Sequence, residues 1–467
     1  MTYGLVAWYN PVRSITGSKR RAGSVGFTKE LGRVQRLAAS LVSGGFRTTA
    51  TAALEYHANL PPMILALNHA VHNAATRLAT LPTSHPLHAP WNSSKRTPQR
   101  HITTIHRLRD AFPYLRHLET IDPGLADVGW SSSADVHIAE SKDEAIQFAT
   151  SRPEEELTIF CDGSGYRGGV GAAAVAKVGN QYLSRSYHLG ADDAHTVFEG
   201  EVVGIILATD IIREKIHVVK ANILLDNQAA IQSMTRRRHQ SGQQLIHEAQ
   251  EAIEDIISER PHLSLSISWV PGHSNVQGNE EADKHAKRAA EGETTRRLGK
   301  YTSLDLGIAK SSAAIRARAT KRRAWEWEQQ WRDSPQGRRI IKFDLRPPGK
   351  SVMRSFKNLA RHEISLLTQL RTAHVALSAY LHRIRKIDSP LCLRCLVPDT
   401  PAHYLLSCER YIAQRSTLRV RIGLARLNLG SLLATPRLIK HTIEFVKSTN
   451  RFIHYRLPSD LSPNITQ

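Results

Sequence analysis

The sequence predicts an α/β domain over residues 153–295, built on a mixed β-sheet with helices on both faces. Two observations predict it. Three strand-like segments follow one another directly, namely LTIFCD, GVGAAAVAKV and QYLSRSYHL, and two later apolar strands, ANILLD and LSLSISWV, alternate with helical segments. A three-strand meander followed by β–α units gives a sheet with both antiparallel and parallel pairs. We therefore expect five strands in this domain.

The helices of this domain are predicted by apolar residues at helical spacing. The segment TVFEGEVVGIILATDIIRE has this periodicity from Val197 to about Ile212. Two helical segments, NQAAIQSM and GQQLIHEAQEAIEDIISE, follow the fourth strand, and NVQGNEEADKHAKRAAE closes the domain. The expected element order is βββαβαβα, with one extra helix after the fourth strand.

Composition divides the rest of the chain. A chain of 467 residues is too long for one ordinary domain. Helical patterns flank the α/β domain on both sides, and a stretch rich in Pro, Ser, Thr and His precedes it. We expect five segments: a helical segment over 1–85, a linker over 86–152, the α/β domain over 153–295, a basic linker and helix over 296–350, and a helical segment around a cysteine cluster over 351–467.

The charge of the chain bears on its partners. The formal net charge is +21 and the pI is about 10.0. Such an excess favours a polyanionic partner, most simply nucleic acid, with a solvated basic surface as the alternative. We expect no membrane span, because no apolar run is long enough, and no signal peptide, because no basic leader precedes a long apolar core. The four cysteines fit a reducing compartment, which makes the protein intracellular and not secreted, with the nucleus as one such compartment.

Four acidic residues stand where the predicted elements could bring them together. Asp162 and Asp226 each end an apolar strand, whereas Glu201 and Asp283 lie on helices. Clustered carboxylates repel one another unless cations neutralise them. Oxygen ligands suit Mg²⁺ or Mn²⁺, and two such ions about 4 Å apart can hold the attacking water and the leaving oxygen of a phosphodiester. Taken singly, each residue has a simpler interpretation as a turn residue or a solvated helix residue.

The motifs around these acidic residues resemble a type 1 ribonuclease H domain. The resemblance rests on CDGSG, TVFEGEVVGIILA, LLDNQAA and WVPGHSNVQGNEEADKHAK, in that order along the chain. It implies the ribonuclease H-like fold, with a mixed five-stranded sheet, and hydrolysis of the RNA strand of an RNA–DNA hybrid with two Mg²⁺ or Mn²⁺ ions. It also implies roles for five residues: the metal ligands Asp162, Glu201, Asp226 and Asp283, and His273, which assists proton transfer or product release.

One position in this assignment has a competitor. Glu199 lies two residues before Glu201 on the same predicted helix. The family typically has AEL at the ligand position, and GEV at 200–202 fits that pattern better than the residues around Glu199. We therefore assign the ligand role to Glu201.

A second candidate metal site lies near the C-terminus, where three of the four cysteines fall close together. Two thiolates separated by two residues, followed by one imidazole and a third thiolate, can form a closed tetrahedral Zn²⁺ site. Ser407 is available to support the histidine. The alternative is three buried cysteines and a surface histidine. The cluster resembles the zinc-knuckle-like segment of non-LTR retrotransposon polyproteins, and its four residues are Cys392, Cys395, His403 and Cys408.

The N-terminal segment resembles the same polyproteins. GGFRTTATAALE, LPPMILAL and TRLATLPTSHPL are similar to the segment that follows the polymerase in them. The resemblance implies that residues 1–85 are a helical remnant of that segment. The whole chain then resembles the C-terminal part of a LINE-like polyprotein, with a ribonuclease H domain and a zinc knuckle.

Three interpretations of the function stay open on the sequence. The first is an active ribonuclease H, and the complete set of carboxylates with His273 favours it. The second is a catalytically inactive nucleic-acid-binding remnant of a retrotransposon polyprotein. The third is another nuclease or integrase-like enzyme on a related fold.

A basic tract follows the α/β domain. Residues 316–323 contain five basic side chains and run into Trp325, Trp327 and Trp331. This pattern is typical of a nucleic-acid contact, in which basic groups bind phosphates and aromatic rings stack on bases. Tryptophans packed in a core are an equally good interpretation.

Overall fold

The computed structural model describes residues 4–18, 20–92, 103–126, 130–153, 155–179, 181–295 and 302–452. Parts of the expected linker, 93–102 and 127–129, and of the basic segment, 296–301, lie outside the described residues. The chain divides into two compact units. We call residues 3–10 and 71–319 the sheet unit, and residues 11–70 and 320–467 the helical unit, each taken over its described part. No described helix is both long and apolar enough to cross a membrane.

The sheet unit is organised around six strands, here numbered along the chain. The spatial order is β1-β6-β5-β2-β3-β4, with parallel pairing from β1 to β2 and antiparallel pairing from β2 to β4. The strands are β1 Asp135–His137, β2 Leu157–Tyr166, β3 Gly169–Val178, β4 Gln181–Ala191, β5 Lys220–Leu225 and β6 Ser264–Trp269. The predicted mixed sheet and meander are confirmed.

The number of strands corrects the prediction of five. The sixth strand, β1, is an edge strand of three residues that pairs in parallel with β6. Two of its three residues, Asp135 and His137, are polar and exposed, so the segment DVH carries no apolar run that would indicate a strand. The strand also lies within the expected linker, 86–152. Within the expected linker, residues 135–150 thus add this strand and the helix Lys142–Thr150 to the sheet unit.

Helices cover both faces of this sheet, as predicted. Because side chains alternate along a strand, neighbouring residues of β2 face opposite sides. Ile159 belongs to the large core beneath the helices Val197–Glu214 and Gln243–Glu259, whereas Phe160 packs in a smaller core with Ala282 of the helix Gln277–Ala290. The other helices of four or more residues in the described part of the sheet unit are Leu5–Trp8, His88–Asn92, Thr104–Ala111, Lys142–Thr150, Gln228–Ser233 and Thr302–Leu306.

The helical unit joins segments from both ends of the chain in one hydrophobic core. Ala53 and Tyr56 from the N-terminal segment pack in the same cluster as Leu367 and Ile443. Two helices, Met63–Ala79 and Ser312–Asp333, contain the boundaries between the units. The other helices of four or more residues in the described part of this unit are Val25–Ser43, Thr51–Ala58, Pro335–Ile340, Lys350–Met353, Arg361–Thr372, Ser378–Arg383, the π-helical turn His403–Ser407, Ile412–Ile422, Leu429–Ala434 and Pro436–Ser448. The short strands Arg13–Ser14 and Arg21–Ala22 pair with each other.

A buried polar network lies in the core of the helical unit. The Arg371 side chain is fully buried, and its Nη2 donates to Asp344 Oδ2 at 2.6 Å while its Nε donates to His57 Nε2 at 3.0 Å. His57 Nδ1 donates to the carbonyl oxygen of Ala53 at 2.7 Å. The ring is therefore neutral, because Nε2 must accept. Burial and the positive charge of Arg371 lower the pKa of His57 to about 3.

The three tryptophans of the basic tract divide between core and surface. Trp331 is 2% exposed and stacks on Tyr56, with ring centroids 4.1 Å apart, and Trp327 is also buried. Trp325 is 61% exposed. Two of the three therefore pack in the protein, and one is available at the surface.

Candidate active site

Strand register brings two aspartates to one edge of the sheet. In the parallel pair β2–β5, Cys161 is opposite Leu225. The next residues, Asp162 and Asp226, are therefore neighbours at the point where this pairing ends, as the sequence predicted. Asp226 directly follows β5, whereas Asp162 does not end its strand, because β2 continues to Tyr166 in its pairing with β3. The backbone of Gly272, in the loop after β6, passes close to the Asp226 carboxylate. A Cβ added at Gly272 would lie 2.4 Å from Asp226 Oδ2.

A close approach between strand β2 and the helix Val197–Glu214 supplies the third carboxylate. A Cβ at Gly163 would lie 2.4 Å from the backbone nitrogen of Glu201, so only glycine fits directly after Asp162. The helix begins at a capping box, in which Thr196 Oγ1 accepts from the backbone N–H of Glu199 and Glu199 Oε2 accepts from the backbone N–H of Thr196. Glu199 is thus occupied in capping the helix, and Glu201, two residues on, joins the cluster.

Asp162, Glu201 and Asp226 each place one carboxylate oxygen within 4.8 Å of the others. Asp162 is 7% exposed and Glu201 3% exposed. Asp162 Oδ2 and Glu201 Oε2 are buried and have no hydrogen-bond partner in the described part of the chain. Buried oxygens without partners are costly. A divalent cation would satisfy both, so these residues fit a site for Mg²⁺ or Mn²⁺.

The electrostatics of this carboxylate cluster point the same way. Burial, with the nearby charges of Asp226 and Asp283, raises the pKa of Asp162 to about 7. Burial, with Asp162 and Asp226, raises the pKa of Glu201 well above its usual value. Burial also raises the pKa of Asp226. Such mutual repulsion is expected where carboxylates converge without a counter-ion.

The other two expected site residues lie around this cluster. Asp283 and His273 both line the same cavity, of about 250 Å³, as the three clustered carboxylates. Asp283 Oδ2 is paired with Lys287 Nζ at 2.6 Å, one helical turn along, and is outside the group of three. His273 is exposed and has a φ of 54°, in the loop that follows strand β6. The structure therefore brings all five residues to one cavity.

Three polar residues of this cavity were missed by the sequence analysis. Ser164, Asn279 and Glu280 line it together with the carboxylates. Asn279 is 4% exposed, and its Oδ1 has no partner in the described residues. A signal existed, because Asn279 lies four residues before Asp283, one turn earlier on the same helix face.

The C-terminal cysteines and histidine also converge. One ligand atom from each of Cys392, Cys395, His403 and Cys408 lies within 4.8 Å of the others. The Sγ–Sγ distances to Cys408 are 3.8 Å from Cys392 and 3.9 Å from Cys395. A tetrahedral ion with bonds of about 2.3 Å to sulfur separates its thiolates by about 3.8 Å. The spacing therefore fits zinc, and all four cysteines of the chain are free thiols.

Local hydrogen bonds, most of them from backbone N–H groups, position the residues of this cysteine cluster. The N–H of Leu396 donates to the carbonyl oxygen of Cys392, and the N–H of Glu409 donates to Cys395 Sγ at 3.3 Å. Ser407 Oγ lies 3.3 Å from His403 Nδ1, and His403 Nε2 has no partner among the described residues. Although burial acts to raise it, hydrogen bonds from the backbone N–H groups of Cys395 and Arg394 lower the pKa of Cys392 to about 7. The cluster thus offers an imidazole nitrogen without a partner among the described residues and a buried thiol whose pKa is lowered.

Comparisons with known proteins agree with this architecture. Residues 154–291 match the RNase H family model. A search of the curated proteins found no match. The sheet unit has the RNase H-like fold, with its sheet enlarged to six strands.

Several solved structures are similar to part of the chain. The N-terminal RNase H domain of a Mycobacterium tuberculosis protein is 19% identical, over 29% of this chain and 98% of that one, with a TM-score of 0.23. RNase H1 from Halobacterium salinarum is 16% identical, over 29% and 98%, with a TM-score of 0.24. The protease–reverse transcriptase of prototype foamy virus is 16% identical, over 42% and 28%, with a TM-score of 0.24.

Proposed function

We propose that the domain over residues 153–295 hydrolyses the RNA strand of RNA–DNA hybrids with two Mg²⁺ or Mn²⁺ ions. One observation carries the proposal: three carboxylates, Asp162, Glu201 and Asp226, converge within 4.8 Å, and two of their buried oxygens lack any partner in the described residues. The match of residues 154–291 to the RNase H family model supports the same reaction class.

The five site residues expected from the sequence each have a defined part in this proposal. Asp162, Glu201 and Asp226 would hold the ions, and Asp283, which is paired with Lys287, would be the fourth carboxylate of the site. When bound, such ions would supply the positive charge that activates water and stabilises the charge developing during phosphodiester hydrolysis. His273, exposed on its loop, moves a proton at the leaving oxygen. The RNA strand is selected by its 2′-hydroxyl groups and by the shape of the hybrid minor groove.

The direct test is cleavage of a labelled RNA–DNA hybrid by the purified full-length protein in Mg²⁺. Asp162→Asn keeps the shape of the side chain but removes charge from the ion site. We expect it to lower the cleavage rate roughly a thousandfold while hybrid binding persists. Asp192→Asn, the same change in an exposed turn, is the matched control and should cleave at the parent rate. Cleavage by Asp162→Asn at the parent rate would refute the assignment, and equal cleavage of duplex DNA would indicate another nuclease class.

A second candidate is a nucleic-acid-binding domain without catalysis. The ion pair between Asp283 and Lys287 favours it, because that pair occupies the fourth carboxylate. The same assay separates the two functions. Hybrid binding by the parent protein without cleavage, in either Mg²⁺ or Mn²⁺, would support the binding function.

We also propose that the cysteine cluster binds one Zn²⁺. The Sγ–Sγ distances of 3.8 and 3.9 Å and the unpaired Nε2 of His403 support this proposal. Metal analysis of the purified protein should find about one zinc per chain. Zinc absent from folded protein would leave the cluster as buried thiols.

We further propose that the chain derives from a LINE-like retrotransposon polyprotein. The motif resemblances of the N-terminal segment and of the cysteine cluster support this origin. A polymerase-coding sequence directly upstream in the source genome is the expected finding, and a conserved host gene with no such neighbour would count against it.

A further inference from the structure

The helical unit contains a cavity of about 210 Å³ that is separate from the carboxylate cluster and the cysteine cluster. Two arginines line it. Arg339 lies in the last turn of the helix Pro335–Ile340, and Arg383 is the last residue of the helix Ser378–Arg383. Tyr380 and apolar residues form much of the remaining wall, and Asp399 and Thr400 complete it. We call this cavity the arginine pocket.

The two arginines of this pocket have no carboxylate partner in the described part of the chain. Arg339 Nη1 donates to the carbonyl oxygen of Thr372 at 2.8 Å, and the Arg383 guanidinium carbon lies 5.2 Å from the Tyr380 ring centroid. Burial and the charge of Arg383 lower the pKa of Arg339. Two cations in one pocket repel each other, and a bound anion would remove this repulsion.

The carboxylate at the pocket wall does not fill that role. Asp399 is 4% exposed, and its Oδ2 accepts from the backbone N–H of Ser378 at 3.1 Å and from Arg451 Nη2 at 2.9 Å. Its charge is thus engaged by a third arginine. The positive charge of Arg339 and Arg383 stays available to a ligand.

A buried histidine lies beside the same wall. His374 is 8% exposed, and its ring centroid is 5.1 Å from that of Tyr380. Its Nδ1 is buried and has no partner among the described residues. Burial, with the charges of Arg383 and Arg339, lowers the pKa of His374 to about 4. The ring is therefore neutral near pH 7, and one of its nitrogens can donate a hydrogen bond.

We propose that the arginine pocket binds a phosphate group of a nucleic-acid backbone. Arginine forks match phosphate oxygens in geometry and charge. The apolar wall around Tyr380 suits the sugar that accompanies a backbone phosphate, and the net charge of +21 favours a polyanion. The choice of nucleic acid as the source of the phosphate rests on the proposed function.

The cysteine cluster and one wall of this pocket belong to the same segment of the chain. Asp399 and Thr400 lie between Cys395 and His403 in the sequence. The carbonyl oxygen of Asp399 also accepts from the backbone N–H of Ala379, at 3.3 Å, which ties this loop to the helix that carries Arg383. Zinc binding would fix the loop, so phosphate binding should weaken when the cluster is disrupted.

The test measures binding of a labelled single-stranded oligodeoxynucleotide to full-length Asp162→Asn protein over a range of salt concentrations. Arg383→Gln should weaken binding about threefold to tenfold at low salt and reduce the salt slope by about one phosphate contact. Arg437→Gln is the matched control, because this exposed arginine lies on the helix Pro436–Ser448 and carries the same charge. It should bind like the parent.

Three outcomes decide the proposal. Binding by Arg383→Gln equal to that of the parent would overturn it, provided that both melt at the same temperature. An equal loss for Arg437→Gln would also overturn it, since net charge alone would then explain the effect. The third outcome comes from competition with inorganic pyrophosphate. If pyrophosphate saturates the pocket without displacing the oligonucleotide, the pocket binds a small phosphate ligand and the proposal of a nucleic-acid backbone is overturned.

Failure of the proposed catalytic function would leave this test unaffected. Binding is measured in a variant that does not need to cleave, and the ligand is DNA alone. If the parent protein never cleaves a hybrid but Arg383→Gln loses binding, the proposal for the pocket stands and only the proposed catalytic function is rejected.

Discussion

The two candidate metal sites of this protein are built in opposite ways. The carboxylate cluster takes its residues from positions 162 to 226 on two strands and a helix, and strand register brings them together. The cysteine cluster takes all four residues from positions 392 to 408, a short stretch of the chain that includes the π-helical turn His403–Ser407. In the first site the fold forms the ion site, because a large core holds the ligands in place. In the second, the ion would hold the fold.

Removal of metal ions should have the largest effect and tests directly whether the two sites differ in this way. Treatment of the full-length protein with EDTA should abolish hybrid cleavage, a loss of about a thousandfold or more, because the ions carry the reaction. It should leave the unfolding of the sheet unit unchanged. Adding back Mg²⁺ should restore cleavage, whereas only Zn²⁺ should restore the parent unfolding of the helical unit. Unfolding of the sheet unit on chelation would contradict the comparison.

Cys408→Ser tests the opposite half of the comparison. This residue is 1% exposed and contacts both other thiols, so its loss should remove zinc and lower the melting temperature of the helical unit by on the order of 10 °C. Hybrid cleavage should stay within about twofold of the parent. Thermal unfolding followed with zinc analysis provides the measurement. A parent-like melting temperature in zinc-free variant protein would mean that the ion does not support the fold.

The buried ion pair between Asp344 and Arg371 stabilises the core of the helical unit without a metal, in contrast to the cysteine cluster of the same unit. Asp344→Asn leaves the fully buried Arg371 without its charge partner, and we expect a loss of about 3 kcal/mol in the free energy of unfolding. Denaturant unfolding at pH 7 measures it. Ser389→Ala, in an exposed loop of the same unit, serves as the control and should stay near the parent value.

The pH dependence of this loss has a defined sign. Although burial acts to raise it, hydrogen bonds and charge from Arg346 and Arg371 lower the pKa of Asp344 to about 2. A lowered carboxyl pKa stabilises the fold above the usual value near 4 and ceases to do so as the pH falls toward 2. The difference between parent and Asp344→Asn should therefore shrink below about pH 4. A difference that stays constant down to pH 2 would contradict this origin.

His273→Ala should have the smallest effect of these variants. His273 is exposed on a loop and outside the group of convergent carboxylates, so we expect the cleavage rate to fall only about tenfold to a hundredfold. His262→Ala removes an exposed histidine of the same unit and should cleave normally. A loss for His273→Ala as large as that for Asp162→Asn would make the histidine as essential as the ion ligands.

Much of the sheet unit was predictable because its elements carry strong local signals. Asp162 and Asp226 directly follow the apolar stretches of two parallel strands, so their proximity could be expected from the topology. The sequence did not indicate that β2 continues past Asp162 to Tyr166, because the residues Gly-Ser-Gly resemble a turn. Strand β1 was not predictable, because three residues with polar ends carry no alternation, and pairing with β6 alone makes them a strand. Tertiary pairing overrode local propensity there.

The helical unit shows where prediction from local pattern fails in principle. The hydrogen bond between Arg371 and His57 joins residues 314 positions apart. Periodicity reports which face of a helix is apolar but not which distant helix will cover it. The arginine pocket likewise combines Arg339, Arg383 and a loop near residue 400. These residues are far apart in the sequence and form no recognisable motif, so the pocket could not be predicted from their spacing.

The buried contacts between Arg371, Asp344 and His57 have a consequence for how the chain matures on the ribosome. The segment 11–70 is synthesised early, yet its partners in the core lie beyond residue 320. It must therefore wait for more than half of the chain to be translated, while the intervening sheet unit has all of its strands and can fold first. During that interval Ala53 and Tyr56 of helix Thr51–Ala58 lack the core partners that the later part of their unit supplies, such as Leu367 and Ile443. Ribosome-bound chains stopped before residue 320 should accordingly recruit chaperones and be cut by protease within 11–70, whereas released full-length chains should resist.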